Sequence, residues 1–178
     1  MPTPAEDVDG VARYRIDPGR SRVAIQATSS LHPIHSETDG LEGWVELVDG
    51  EAESGVATGA HLELPVDRLR SGNPFEDREL RRRIDARRFP TITGDLTSME
   101  ATVHPGRYMV RGDVTFKGVT RPQEEEMTME LEGRESIRLQ GSSVFDIRDF
   151  GLEPPRILMV KVAPDVTVTV DITAQREA

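Results

Sequence analysis

With 178 residues and a mass of 19.8 kDa, the chain has the length of one domain that can bury a core without disulfides. It contains no cysteine, which excludes a disulfide framework, a thiol nucleophile and a cysteine zinc site. A formal net charge of -10 and an aromatic content of 4% argue against a basic surface for nucleic acid and against a base-stacking platform. We therefore expect no nucleic-acid partner.

The first ten residues, MPTPAEDVDG, are polar and acidic. They predict a flexible N-terminus over residues 1–10, followed by a single domain over residues 11–178. The segment has neither the basic nor the apolar part of a signal peptide, and no stretch predicts a membrane anchor. We expect a cytoplasmic chain without stable membrane insertion.

The next part of the chain reads as short strands in which apolar and polar residues alternate. A first hairpin is predicted around the turn Asp17-Pro18-Gly19, and residues 29–38 are predicted to form a polar connection. Thr58 is predicted to face inward in the fourth strand, and Asp49-Gly50 to form the turn before it. The four predicted strands span residues 12–16, 22–28, 41–47 and 58–64.

One helix is clearly predicted, after a short helical turn at residues 66–69. Asn73 is a good N-cap, Pro74 suits the first helical position, and Phe89 precedes a proline that stops the helix. A narrow apolar stripe indicates that the helix lies against a larger body. The stripe residues are Phe75, Leu80 and Ile84.

The rest of the chain again alternates with a period of two, and it includes a tight reversal at Lys117-Gly118-Val119-Thr120. Eight or more such strands with one helix predict an all-β fold with an antiparallel sheet, which closes into a barrel because twist curls it and open edges invite aggregation. The later predicted strands span residues 91–99, 108–116, 127–132, 137–146 and 166–173.

Four motifs occur in this order: YRIDPGRS at 14–21, RFPTI at 88–92, GDVTFKGVTR at 112–121 and RDFGL at 148–152. Together they resemble the YceI-like lipocalin-fold family. The resemblance implies an extended antiparallel barrel, a helix against its opening, and a long apolar pocket for a polyisoprenoid such as an isoprenoid quinone or polyprenyl phosphate. The chain departs from the family pattern in lacking a secretory signal and in carrying a longer histidine segment, His32-Pro33-Ile34-His35.

The function expected on this basis is a binding or carrier protein for a long apolar ligand, with no catalytic residue, no metal and no cofactor beyond a bound isoprenoid-type lipid. Ordinary apolar side chains would bind such a ligand. Each of these residues has an alternative role, which is to pack in the barrel core without contacting a ligand. The residues helping to close the barrel mouth, Phe75, Leu80 and Phe89, rank highest. The candidates are Ile25, Leu41, Val45, Leu62, Phe75, Leu80, Ile84, Phe89, Tyr108, Val110, Phe116, Met127, Met129 and Phe145.

Two polar clusters leave alternatives open. The basic run Arg81-Arg82-Arg83 either receives a phosphate head group or only forms helix-surface ion pairs, Asp77 with Arg81 and Glu79 with Arg83. His32 and His35 are the only close histidine pair, and they support an enzyme acting on a hydrophobic small molecule as an alternative. No GxSxG or HExxH motif accompanies them.

A third possibility is a stress-related interaction protein whose pocket is incidental. A homodimer is a further prediction, and an exposed first or last strand would suit such pairing.

Overall fold

The computed structural model describes residues 10–48, 56–154, 156–157 and 160–178. In these residues the chain forms eleven strands, the helix α1 (Pro74–Ile84) and two 3-10 turns, Val66–Arg68 and Ile147–Phe150. The strands are β1 (Val11–Ile16), β2 (Arg22–Ser29), β3 (Pro33–Thr38), β4 (Glu42–Val48), β5 (Ala57–Pro65), β6 (Thr91–Ala101), β7 (Arg107–Phe116), β8 (Val119–Glu132), β9 (Ser136–Asp146), β10 (Arg156–Ile157) and β11 (Val160–Arg176).

The strands form one antiparallel barrel. Neighbours follow the order β1-β4-β5-β6-β7-β8-β9-β11-β2-β3, and a further pairing of β1 with β11 closes the sheet. The longest strand, β11, pairs with β9, β2, β1 and β10. This confirms the predicted all-β fold, an antiparallel lipocalin-like barrel with one helix.

The predicted first hairpin is wrong. Both of its strands exist, but β1 pairs with β4 and β11, whereas β2 pairs with β11 and β3. The alternation of residues shows which face of a strand is apolar, but it does not show which strand lies alongside.

The predicted polar connection over residues 29–38 is also wrong in its second half, because residues 33–38 form β3. Its inward positions are Ile34, Ser36 and Thr38, so two of the three are polar and the period-two signal is weak. On its far side β3 has one isolated bridge, between Glu37 and Arg70. The segment after the first 3-10 turn therefore contacts this edge of β3 at one point within the described residues.

A bulge in β5 changes one predicted face. Thr58 is exposed, and Ala57 is buried in its place, because the register with β4 shifts between the Glu46 and Leu47 pairs. Leu62 and Leu64 lie on the inner side as predicted.

Helix α1 begins where the sequence predicts. The side chain of Asn73 accepts hydrogen bonds from the backbone N–H groups of Phe75 at 3.0 Å and Glu76 at 3.5 Å. The helix ends at Ile84, before the predicted stop at Phe89, because Asp85 takes the left-handed conformation with φ 55°. Phe75 is 55% exposed, so it is not part of the packed stripe.

Two predictions concern residues outside those described. They are the conformation of residues 1–9 and the turn at Asp49-Gly50.

Candidate functional site

One end of the barrel is a floor of tightly packed side chains, which is built where β1 and β11 pair. Its members are 0–2% exposed, and the Tyr14 hydroxyl donates a hydrogen bond of 3.0 Å to the carbonyl of Arg134. The floor residues are Tyr14, Ile16, Ile137, Ile172 and Ala174.

The inward apolar side chains further along the barrel are only half-buried. Strands surround these positions on both sides, so their remaining accessible surface faces the interior and its opening. The half-buried lining residues are Ile25, Leu62, Leu96, Val110, Val168 and Val170. The interior is therefore packed at the floor and less filled beyond it.

Helix α1 lies at the end away from the floor. Ile84 is 1% exposed and packs with Val66 and Leu152, and this cluster includes Phe116 from the end of β7. Leu80 contacts both this cluster and the main barrel core. The helix thus joins the barrel on the predicted side, through its Leu80 and Ile84 face.

Aromatic rings surround this end of the barrel. Phe150 makes an edge contact with Phe116 at a centroid distance of 5.8 Å, and it lies 6.5 Å from Phe145. Phe89 packs against the turn at Gly118, where an added Cβ would lie 2.9 Å from the ring. The turn needs φ values of 51° at Lys117 and 74° at Gly118. The predicted tight reversal is therefore present but shorter than predicted, because Val119 and Thr120 already belong to β8.

The structure separates the fourteen candidate ligand residues by exposure, and ligand contact remains a prediction for each. Phe75 alone is exposed. The buried candidates are Leu41, Val45, Ile84, Tyr108, Met127 and Met129, and the half-buried ones are Ile25, Leu62, Leu80, Phe89, Val110, Phe116 and Phe145.

Sequence reasoning missed a polar group on the inner face. Glu125 lies two residues before the buried Met127 on β8, and its carboxylate accepts a hydrogen bond of 2.5 Å from the Ser143 hydroxyl. Extending the alternation of Met127 and Met129 by one step toward the N-terminus would have found it.

The basic run on α1 is occupied largely by ion pairs. Glu79 binds Arg82 and Arg83, each at 2.8 Å, and the hydrogen bond from Arg82 is the main cause that lowers the pKa of Glu79. The predicted ion pair of Asp77 with Arg81 is replaced by other hydrogen bonds. The Asp77 carboxylate accepts hydrogen bonds from Ser71, and Arg81 donates to the backbone carbonyl of Asp77. A role in head-group binding remains a prediction.

The histidines lie on the outside of the barrel. His32 and His35 are both exposed, and the His32 ring nitrogen Nδ1 is 3.0 Å from the Pro33 carbonyl. His61 Nδ1 lies 2.7 Å from Asp95 on the outer face of β5 and β6. Within the described residues, no group of three or more His, Cys, Asp or Glu side chains is placed to hold a metal ion.

A polar depression of about 370 Å³ lies on the outside of the seam between β3 and the first 3-10 turn. Its charges are matched, because Arg22 pairs with Glu37 at 3.8 Å and Arg68 pairs with Asp39 at 3.6 Å. It lacks the apolar lining that a long hydrocarbon requires.

A family model described as YceI-like domain matches residues 14–174. The chain belongs to this family. The match covers both the floor and the helix end, so the family assignment applies to the whole barrel of this YceI-like protein. A search of curated proteins returned no match.

Solved structures share the fold of this YceI-like chain. BcnA of Burkholderia cenocepacia is 17% identical, with a TM-score of 0.76, covering 89% of this chain and 99% of BcnA. A polyisoprenoid binding domain from Saccharophagus degradans, implicated in plant cell wall breakdown, is 12% identical with a TM-score of 0.74 and coverages of 92% and 98%. The Campylobacter jejuni YceI protein is 13% identical with a TM-score of 0.66 and coverages of 79% and 84%.

Across the described part of the chain, no helix has the length and apolar character needed to cross a membrane.

Proposed function

We propose that this protein binds a long apolar molecule of the isoprenoid class inside its barrel. The observation that carries the proposal is the change in packing along the interior, from floor residues that are 0–2% exposed to half-buried apolar residues beyond them. An apolar lining with accessible surface suits a hydrocarbon chain. The similar fold of the polyisoprenoid binding domain from Saccharophagus degradans supports the same ligand class.

The energetics of such binding need no polar motif. Each isoprene unit buries roughly 100 Å², which at about 25 cal/mol per Å² contributes roughly 2 to 3 kcal/mol before the cost of association is subtracted. Several units therefore suffice for firm binding. The half-buried lining residues rank first among the ligand contacts, and Phe75 ranks last because its side chain is exposed.

The proposal describes a carrier and not an enzyme. The inner face of the half-buried region is mostly apolar, whereas the His61–Asp95 pair, which has the geometry of a proton-transfer pair, lies on the outer face. The alternative of an enzyme using His32 or His35 places its chemistry on exposed side chains away from the apolar lining.

A homodimer and a cytoplasmic location are further parts of the proposal. The first and last strands do not offer a free edge as expected, because β1 and β11 are each paired on both sides. Strand β3 is a better candidate for pairing with a second copy, because only the Glu37 bridge lies on its far side among the described residues. Sedimentation analysis and cell fractionation would test the two points.

The ligand proposal is tested by native mass spectrometry of the purified protein, combined with organic extraction. We expect a retained isoprenoid-type mass at close to one per chain. A protein that is repeatedly empty and that also fails to take up added isoprenoids would overturn the proposal.

A matched pair of variants locates the ligand. Val168→Trp adds bulk to the half-buried lining, and we expect it to lower the bound fraction about tenfold. Val144→Trp adds the same bulk at an outward position that is 65% exposed, and it should leave occupancy unchanged. Equal occupancy in the two variants would contradict binding inside the barrel.

A further inference from the structure

The inward-facing carboxylate of Glu125 has an unusual setting. Its neighbours in sequence point outward and are paired with arginines, Glu124 with Arg111 at 2.5 Å and Glu126 with Arg107 at 3.0 Å. Glu125 makes no ion pair with any cationic side chain in the described part of the chain, and its one side-chain partner there is Ser143.

Two observations place this carboxylate inside the barrel. Met127 on β8 is level with Gly141 on β9. Glu125 and Ser143 lie two residues further along these strands, on the same inner face, and are hydrogen-bonded to each other. A Cβ built on Gly141 would lie 2.8 Å from Met127 and 3.6 Å from Glu125 Oε2. The glycine therefore lets Met127 pack directly against the sheet, and the carboxylate lies beside this contact, next to side chains of the apolar core.

The Glu125 carboxylate can accept more hydrogen bonds than it receives from the described residues. An ionised carboxylate offers about four acceptor positions, and the Ser143 hydroxyl fills one of them. Glu125 is half-buried, so its remaining acceptor positions stay accessible. A ligand group that donates hydrogen bonds would fill them, whereas an anionic group would be repelled.

A second polar atom lies at the same level of the barrel as Ser143. Ser143 is level with Val168, Val168 with Ile25, and Ile25 with Ser36. The Ser36 hydroxyl is buried and has no hydrogen-bond partner among the described residues. This layer of the interior thus holds two polar groups whose hydrogen bonding the protein does not complete.

We infer that the ligand carries a hydrogen-bond donor at its polar end, a hydroxyl such as that of a prenyl alcohol or a quinol, and that this group binds Glu125 within the barrel. The inference rests on the proposed function and narrows it. It favours donor-bearing isoprenoids over polyprenyl phosphates and over oxidised quinones, whose carbonyl oxygens only accept hydrogen bonds. The polar end then lies inside the barrel, beside Gly141.

Three probes with the same tail test the inference: geranylgeraniol, geranylgeranyl acetate and geranylgeranyl monophosphate, each measured by displacement of Nile red. The acetate removes the donor and keeps a neutral head. We expect the wild-type protein to bind the alcohol about tenfold more tightly than the acetate, and more tightly still than the phosphate, since one hydrogen bond to a charged group has an effect of at least this size.

Two variants assign the preference to Glu125. Glu125→Leu removes the acceptor and should abolish the preference for the alcohol over the acetate. Glu125→Gln keeps the shape and removes the charge, so it should raise affinity for the phosphate about tenfold. Glu124→Gln is the matched control on the outer face and should behave as wild type.

The outcomes separate the two proposals. Equal binding of the three probes, or a head-group preference that is unchanged in both Glu125 variants, overturns the role of Glu125 and leaves isoprenoid binding intact. Failure of all three probes to bind the wild-type protein overturns the isoprenoid proposal together with this inference.

Discussion

At the residue scale, Gly43 is the position where the backbone leaves the least room. Its φ is +136°, and an added Cβ would lie 1.9 Å from the carbonyl oxygen of His61 in the next strand. Alanine therefore brings both backbone strain and a clash with main-chain atoms that cannot move freely. We expect Gly43→Ala to lower the free energy of unfolding by about 2 to 4 kcal/mol, measured by urea denaturation.

Gly94 provides the control for this substitution. It is also a strand glycine, but an added Cβ there would meet Leu62 at an ordinary 3.8 Å. Gly94→Ala should change the free energy of unfolding by about 1 kcal/mol or less. If the two variants were equally stable, the close approach of β4 and β5 at Gly43 would not be a feature of the folded protein.

Residues also show where sequence reasoning succeeds and where it fails. The alternation predicts Leu41 and Val45 on the inner face, and both are buried. Thr58 was misplaced because a bulge shifts the face of a strand without any sign in its own alternation. Glu125 was missed because a charged residue at an inward position is normally taken as evidence for the outer face.

At the element scale, the start of α1 is the best-defined boundary. Asn73→Ala removes the side-chain acceptor for two backbone N–H groups, and we expect it to lower the free energy of unfolding by about 1 kcal/mol. Asn73→Asp retains an acceptor and should stay close to wild type. Urea denaturation of the three proteins checks this, and an unchanged Asn73→Ala would show that the cap does not contribute to stability.

The two ends of α1 differ in how far sequence can predict them. The start depends on local chemistry, since Asn73 and Pro74 determine it whatever lies nearby. The end depends on the turn at Asp85, whose left-handed conformation allows the chain to return to the barrel at β6. This conformation is hard to predict from the sequence, because residues other than glycine adopt it rarely. For similar reasons β3 was missed, because its inward positions are largely polar.

At the scale of the whole molecule, pairing is unequal around the barrel. Strand β11 is hydrogen-bonded to β9 over eleven residue pairs and to β2 and β1 on its other side, whereas β3 has β2 and a single bridge. We expect backbone amides of β3 to exchange with deuterium at least about tenfold faster than those of β11, since exchange follows local opening. Hydrogen exchange with mass spectrometry measures both strands at once.

Strand β2 is the internal control in that experiment because it is paired on both sides. Exchange in β3 as slow as in β2 would show that the segment around Arg70 protects the seam as well as a full strand does.

The barrel was predictable as a whole because many alternating strands in one chain leave few other ways to remove sheet edges. Its strand order was not, since β1 and β2 carry no residue pattern that identifies their partners. The candidate site was predictable only as a set of inward hydrophobes, because a floor and a less filled region have the same composition and differ only in packing.

The floor formed around Tyr14 and Ile137 has a consequence for selectivity by chain length. A tube open at both ends covers part of any tail, however long, and lets the excess protrude on the far side. A barrel that is blocked at one end leaves a tail one way out, so a ligand whose polar end is held inside at Glu125 extends its tail toward the opening. Isoprenoids longer than this path gain no further affinity, because each five-carbon unit beyond the opening stays in water.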